Sequence, residues 1–207
     1  MNNAIQSKMT TLTAAPDLHH EFAMSAKTSI YRAKPSLPLR TLLDRNLLQG
    51  STLNFGKGKY DVDSLAITEN IGIQCIDYDY TWAKWDIMGS SFKSVVAMYV
   101  LNTLSRQGRD FVWNQLARVT DDSNGSLFVA VRSDRKGMKG EPFEDGVKTS
   151  RGTIQVAYTD EMLISEATQY FGHVEIIQSN SSFILCKCKH AAEAAIKADD
   201  TQMALAL

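Results

Sequence analysis

Gly56 and Gly58 stand in the run Asn54-Phe55-Gly56-Lys57-Gly58, between a short β-compatible stretch (51–55) and a helix-compatible one (62–70). A strand–glycine–helix turn lets a ligand lie against backbone, because glycine has no side chain to block the approach or to forbid positive φ. The helix N–H groups that follow such a turn favour a carboxylate or a phosphate. Asp77 closes the next strand-like segment (72–77), about twenty residues on, where an acid can accept hydrogen bonds from both ribose hydroxyls of an adenosine. This pattern fits a dinucleotide, another adenosine-bearing ligand, or close packing alone. Tyr78, Tyr80, Trp82 and Trp85 come directly after the acid. They could cover an adenine ring or a cation, where an aromatic face is attractive by roughly 0.5–2 kcal/mol, or pack the sheet edge. Tyr78 is the strongest ligand candidate of the four.

These residues need a frame, and the periodicity supplies one. Residues 94–100 (SVVAMYV) are almost continuously apolar, as a strand covered on both faces should be. Residues 126–131 (SLFVAV) read the same way, and 105–120 suits a surface helix carrying Phe111, Leu116 and Val119. Thr159-Asp160-Glu161 opens a helix running to Tyr170, and 173–178 and 182–189 flank Ser179-Asn180-Ser181 as a hairpin. Upstream, Leu39, Leu42, Leu43 and Leu47 recur at helical spacing after Pro35-Ser36-Leu37-Pro38. Residues 133–152 form a connection too long to be simple, which points to a functional loop. The expected organisation is a mobile tail (1–24), an arm and helix (25–50), a main domain (51–189) and a C-terminal helix or tail (190–207). His19 and His20 fall in the tail as solvated residues.

Strands alternating with helices predict an α/β fold with a mainly parallel sheet and helices on both faces. The antiparallel hairpin at the end is the more specific feature, because it matches the class I methyltransferase plan. The third strand of that plan is missing from the pattern, with 84–88 as its remnant. The hairpin tilts the ligand at the glycine turn towards S-adenosylmethionine, and no Gly-x-x-x-x-Gly-Lys-Ser/Thr is present to cradle a triphosphate.

At 207 residues the chain has room for one full domain, and its formal charge of −1 gives no general footprint for nucleic acid. Local basic patches stay open. Cys75, Cys186 and Cys188 form neither a disulfide framework nor a zinc set, which suits a reducing cytoplasm and no metal. No run is long and apolar enough to span a membrane, and residues 1–22 do not read as a signal peptide. The oligomeric state is not legible.

Four segments then match something specific: SIYRAKPSLPLRTLL, LNFGKGKYD, YVLNTL and, most distinctively, DGVKTSRGTIQVAYT. Together they resemble the bacterial DNA-phosphorothioation-associated methyltransferase family over residues 27–187. The resemblance implies a Rossmann-like class I fold and S-adenosylmethionine as cofactor; the family's name reflects genomic company with DNA modification or defence and does not itself name a substrate. It places Asn54, Gly56, Gly58, Asp61, Asp77, Tyr78 and Tyr99 at the cofactor, with Tyr99 and Asn102 facing the reacting methyl group. It matches Lys27 and Arg32 of the arm and Thr149, Ser150 and Gln155 of the long loop as substrate-facing, and the concentration of positive charge in and beside that loop adds Arg132 and Arg151. Asn54 stands where such turns carry Asp, Lys57 where a small residue is usual, and Tyr60 where glycine is common. Lys57 and Lys59 make the turn cationic, favouring the methionine carboxylate but repelling the ammonium and sulfonium.

Methyl transfer is an in-line displacement at an activated sulfonium, so positioning supplies most of the catalysis. Asn102-Thr103-Leu104 replaces the Asn-Pro-Pro-aromatic motif of amino-methylating DNA enzymes, and no Pro-Cys nucleophile is present. The expected activity is methyl transfer to a nucleic-acid or small-molecule acceptor, with Arg132, Arg135, Lys136, Lys139, Lys148 and Arg151 as a phosphate-attracting loop. The alternatives are a cofactor-binding regulatory or scaffold module without turnover, and an enzyme that cleaves S-adenosylmethionine.

Overall fold

Residues 94–98 carry neither charge nor proline, and they form the fully buried strand on which the sheet is built. The structure, a computed structural model, describes residues 16–134 and 136–191. Strand β3 (Ser94–Met98) lies parallel between β1 (Thr52–Phe55) and β4 (Ser126–Arg132), and β2 (Ile76–Tyr78) pairs parallel with the far side of β1. The hairpin of β8 (His173–Ser179) and β9 (Phe183–Lys189) adds antiparallel, with β9 inserted beside β4. The order across the sheet is β2-β1-β3-β4-β9-β8.

Parallel neighbours require crossovers, and helices supply them. Helix α3 (Val62–Ile71) joins β1 to β2, and α4 (Arg106–Val119) joins β3 to β4; α5 (Asp160–Ala167) precedes β8. Their ends follow from local chemistry. Gly72 takes the left-handed conformation (φ 68°) that closes α3, while Ser105 Oγ accepts the Gly108 N–H and Thr159 Oγ accepts the Met162 N–H. Because strand side chains alternate, Val95 and Ala97 face Trp113 and Leu116 of α4 in one apolar core. Val96 and Met98 face the opposite core, with Ile67 of α3 and Leu39 and Leu42 of α2 (Leu37–Asp44). The α/β reading, mainly parallel with a terminal hairpin and helices on both faces, is what the structure has.

Three expectations are corrected. The N-terminal tail does not extend to residue 24: Pro16–Ser25 is helix α1, with Leu18 and Phe22 buried in the α4-side core. His19 and His20 are exposed as expected, yet the His19 ring meets Tyr80 at 5.4 Å. Residues 84–88 do not form a strand, so β2 is the sheet's edge. Since the Tyr78 carbonyl accepts the Gly56 N–H on the β1 side, the Asp77 carbonyl points outward, and the Trp85 indole N–H donates to it at 2.6 Å. A side chain thus covers part of an edge that would otherwise invite pairing.

The long connection is also not an open loop. It folds as a small antiparallel sheet of β5 (Glu141–Phe143), β6 (Gly146–Lys148) and β7 (Ile154–Gln155). Asp145 at its hairpin accepts from the buried Arg109 guanidinium at 2.5 and 3.2 Å, and Glu166 of α5 accepts from the same group at 2.9 Å. The Trp113 indole and the Tyr158 hydroxyl also donate to Glu166, at 3.0 and 2.9 Å. Residues 1–15, Arg135 and the C-terminal segment beyond Ala191 lie outside the described residues, so the expected C-terminal helix or tail is described only at its start. No described helix is long and apolar enough to cross a membrane.

Candidate functional site

The parallel strands end together, and a cavity of about 1020 Å³, its solvent mouth included, opens at their C-terminal edge. Its floor is the glycine turn. Gly56 and Gly58 both have positive φ, 71° and 73°. The Gly56 N–H donates to the Tyr78 carbonyl at 2.7 Å, and a Cβ on Gly56 would overlap a Val100 methyl. The Gly58 N–H donates to Asp79 Oδ2 at 2.9 Å, and the Lys59 N–H to Ser29 Oγ at 2.9 Å.

Gly56→Ala is therefore expected to lose about 2 kcal/mol or more of stability: left-handed backbone costs an L-residue roughly 1–2 kcal/mol, and the Val100 overlap adds to it. Gly72→Ala has a similar φ but open space around it, so it should cost only the backbone part. Urea melts of both variants, and of Gly56→Ala combined with Val100→Ala, test this. Equal losses at Gly56 and Gly72 would refute the packing role.

The opposite wall comes from the N-terminal segment. Glu21 accepts the Ser105 N–H and hydroxyl at 2.8 and 2.7 Å, and the Ser25 and Thr103 hydroxyls meet at 2.6 Å. Asp63 accepts the Ser36 N–H at 3.0 Å, its hydroxyl at 3.1 Å and the Arg32 guanidinium at 3.3 Å. These bonds hold Phe22, Ser25, Ser29 and Arg32 over the glycine turn as cavity lining.

Tyr99 follows β3 in the left-handed conformation (φ 63°), fixed by its N–H bond to the Ala130 carbonyl at 2.8 Å. Such backbone in a non-glycine residue stores strain and turns the side chain away from the strand's alternation. Burial pushes the Tyr99 hydroxyl above its ordinary pKa, and the nearby Arg32 charge only partly offsets that. Tyr99 is thus a neutral donor at neutral pH, not a base. Tyr78 is raised likewise, chiefly by burial, which the Gln115 side chain partly offsets, and its ring packs on Phe55 at 4.9 Å.

The structure brings Gly56, Gly58, Tyr78, Tyr80, Tyr99 and Arg32 together around the cavity, and it leaves the other expected residues off its wall. Asp77, half-buried, turns to α3 and β1, accepting from Ser64 Oγ at 2.5 Å and from the buried Asn54 amide at 3.4 Å. Asp79 takes the cavity position instead, its Oδ1 accepting the Thr81 and Trp82 N–H groups at 2.8 and 2.9 Å. Asp61 points outward and pairs with Lys57, which also lies 4.0 Å from Asp77, so the expected cationic turn is largely neutralised. Asn102 is buried with its side-chain oxygen on the Arg132 N–H at 3.3 Å, and so does not face the cavity.

The long-loop residues are placed elsewhere too. Arg132 bonds Asp134 and Gln155, and the Thr149 hydroxyl meets that of Thr153 at 2.7 Å. Ser150, Arg151 and Lys27 are exposed, and none of these residues lines the cavity. Sequence reasoning missed Asp79, Asp63, Ser29 and Gln115. Among the described residues no cluster of three or more His, Cys, Asp or Glu could hold a metal.

No family model matches the chain, and no curated protein matches it. Solved structures do. One is Burkholderia thailandensis 1,6-didemethyltoxoflavin-N1-methyltransferase with bound 1,6-didemethyltoxoflavin and S-adenosylhomocysteine. It is similar at TM-score 0.57 and 11% identity over 86% of this chain and 92% of that one. The glycopeptide N-methyltransferase MtfA is similar at TM-score 0.54 and 9% identity, over 77% of this chain and 97% of that one. The PH0226 protein of Pyrococcus horikoshii OT3 is similar at TM-score 0.51 and 13% identity, over 73% and 87%. At such identities the likeness is one of fold: the chain has the Rossmann-like fold of these methyltransferases.

Proposed function

We propose that this protein binds S-adenosylmethionine in the cavity above Gly56 and Gly58 and transfers its methyl group to an acceptor at the cavity mouth. The observation that carries the reading is the left-handed glycine turn with Asp79 bonded directly to it, both lining a partly apolar cavity in a methyltransferase fold. When bound, S-adenosylmethionine supplies a methyl group on a positively charged sulfur, ready for displacement. The residues present fit it. Three of the Asp79 carboxylate's roughly four acceptor sites are used by Gly58, Thr81 and Trp82, which leaves capacity for a ribose hydroxyl. Arg32 would hold the methionine carboxylate, and Asp63 the ammonium.

Phe22, Phe55, Val100, Leu104 and Val112 keep water from the interior of the cavity, which strengthens these charged contacts. Tyr99, a neutral phenol, orients an acceptor by hydrogen bonding. Asp63 and Asp79 are the carboxylates on the wall, and both are held by donors from the arm and the turn. The arrangement therefore suits an acceptor that attacks without first losing a proton. The sequence resemblance to the DNA-phosphorothioation-associated family supports a role in the company of DNA modification, without naming the acceptor.

Calorimetry with S-adenosylmethionine and S-adenosylhomocysteine tests the pocket, and transfer of labelled methyl to mixed nucleic acid and small molecules tests the activity. Binding of both with labelled product is expected. Binding without product would favour a regulatory module, and absence of binding would overturn the reading.

A further inference from the structure

Deepening that reading, the geometry points to the acceptor class: we propose that single-stranded nucleic acid is bound on an aromatic–lysine platform at the cavity mouth. Tyr31 and Trp82, 70% and 45% exposed, are among the most exposed large rings described. They are not scattered. Tyr31 packs edge-on against Tyr60, a cavity-lining residue, with ring centroids 5.4 Å apart. The Lys59 ammonium lies 5.9 Å from the Tyr60 ring and 5.6 Å from the Trp82 ring, linking the two. Beside them, the Lys84 ammonium sits 4.9 Å over Tyr80, another lining residue.

Rings exposed in this way are costly unless something stacks on them, and every nucleobase presents a face that can. The cations between them suit the phosphates of the same strand. Charge in the arm agrees: from Phe22 to Leu43 the sequence has no carboxylate, and besides the Asp63-paired Arg32 it carries Lys27, Lys34 and Arg40. The nearest acid of the turn, Asp61, is already paired with Lys57. A duplex hides its base faces, so a stacking platform selects unpaired bases. This surface, and not the 133–152 connection, is where the acceptor meets the cavity.

The test is anisotropy of a labelled single-stranded oligonucleotide of about ten nucleotides with the full chain, beside its duplex and a mononucleotide. Salt-sensitive binding of the single strand, well above the other two, is expected. Tyr31→Ala and Trp82→Ala should each weaken it about 5–150-fold, at roughly 1–3 kcal/mol per stacked base, and Lys59→Gln should lower its salt dependence. Neither ring lines the cavity, so calorimetric binding of S-adenosylmethionine should be unchanged in both variants, which also confirms their fold. Absence of single-strand binding, equal binding of duplex, or variants indistinguishable from wild type would overturn the proposal. The titration needs no cofactor, so failure of the cofactor reading shows separately, in the calorimetry.

Discussion

Asp79→Asn is expected to weaken S-adenosylmethionine binding by about 30–150-fold while leaving the protein folded. A charge-assisted hydrogen bond is worth roughly 2–3 kcal/mol, and tenfold in affinity is about 1.4 kcal/mol. Asparagine keeps an acceptor for the Thr81 and Trp82 N–H groups at Oδ1 and puts an amide where Oδ2 now faces the Gly58 N–H. Asp77→Asn, two residues away, should change affinity by no more than a few-fold. Its carboxylate faces Ser64, Asn54 and Lys57, and losing it should instead lower stability by about 1 kcal/mol. Calorimetry and urea melts on both variants decide the matter. A larger affinity loss at Asp77 than at Asp79 would reverse the assignment of the ribose acid.

The second large effect is expected at Arg109, which does not line the cavity. Arg109→Met should destabilise the protein by about 3–5 kcal/mol, the usual result when one partner leaves a buried ion network. Arg109 is only 3% exposed, and it joins Asp145 of the small sheet, which Arg106 also pairs at 3.4 Å, to Glu166 of α5 and to the Leu104 carbonyl. At this chain length that corresponds to a fall in Tm of roughly 6–20 °C. Acid should erode the same network. Burial by itself would raise the Asp145 pKa, but the Arg109 bonds and charge outweigh it, and the net shift is downward. A carboxylate depressed in the folded state stabilises fully above its unfolded value, near 4, and loses that contribution as pH falls through the folded value. Thermal melts should therefore show the gap between wild type and Arg109→Met narrowing below about pH 4. A gap constant down to pH 2 would contradict this role for Asp145.

How much of this was legible follows from the range over which each signal acts. The apolar run 94–98, the glycine turn and the hairpin about Asn180 are local patterns, and each falls in the element expected of it. The choice between Asp77 and Asp79 is harder. Both lie where β2 ends, and which acid reaches the mouth depends on how the chain leaves the strand, a matter of one or two residues. Helix α1 had a readable mark in Leu18 and Phe22, spaced i, i+4 behind Pro16-Asp17, which the polar composition around it obscured. The neutralising i, i+4 pair of Lys57 and Asp61 was readable too. The distinctive stretch around Asp145 could not have been interpreted alone. Its partner Arg109 is 36 residues away, and only the fold turns a substrate-loop reading into a structural clamp.

The cavity's outer wall has a consequence for the order of assembly. Helix α1 is synthesised before every element it docks on, yet its bonds reach Thr103 and Ser105, 78 and 84 residues later. Contacts so distant in sequence close longer loops than the β4–β9 pairing, at an extra cost that grows only slowly with length, and form after local ones. The sheet and its helices can therefore assemble around an open groove, with the leading segment as the closing piece. An N-terminal fusion would then act on the last step of maturation, and hydrogen exchange in α1 would report whether that step has been completed.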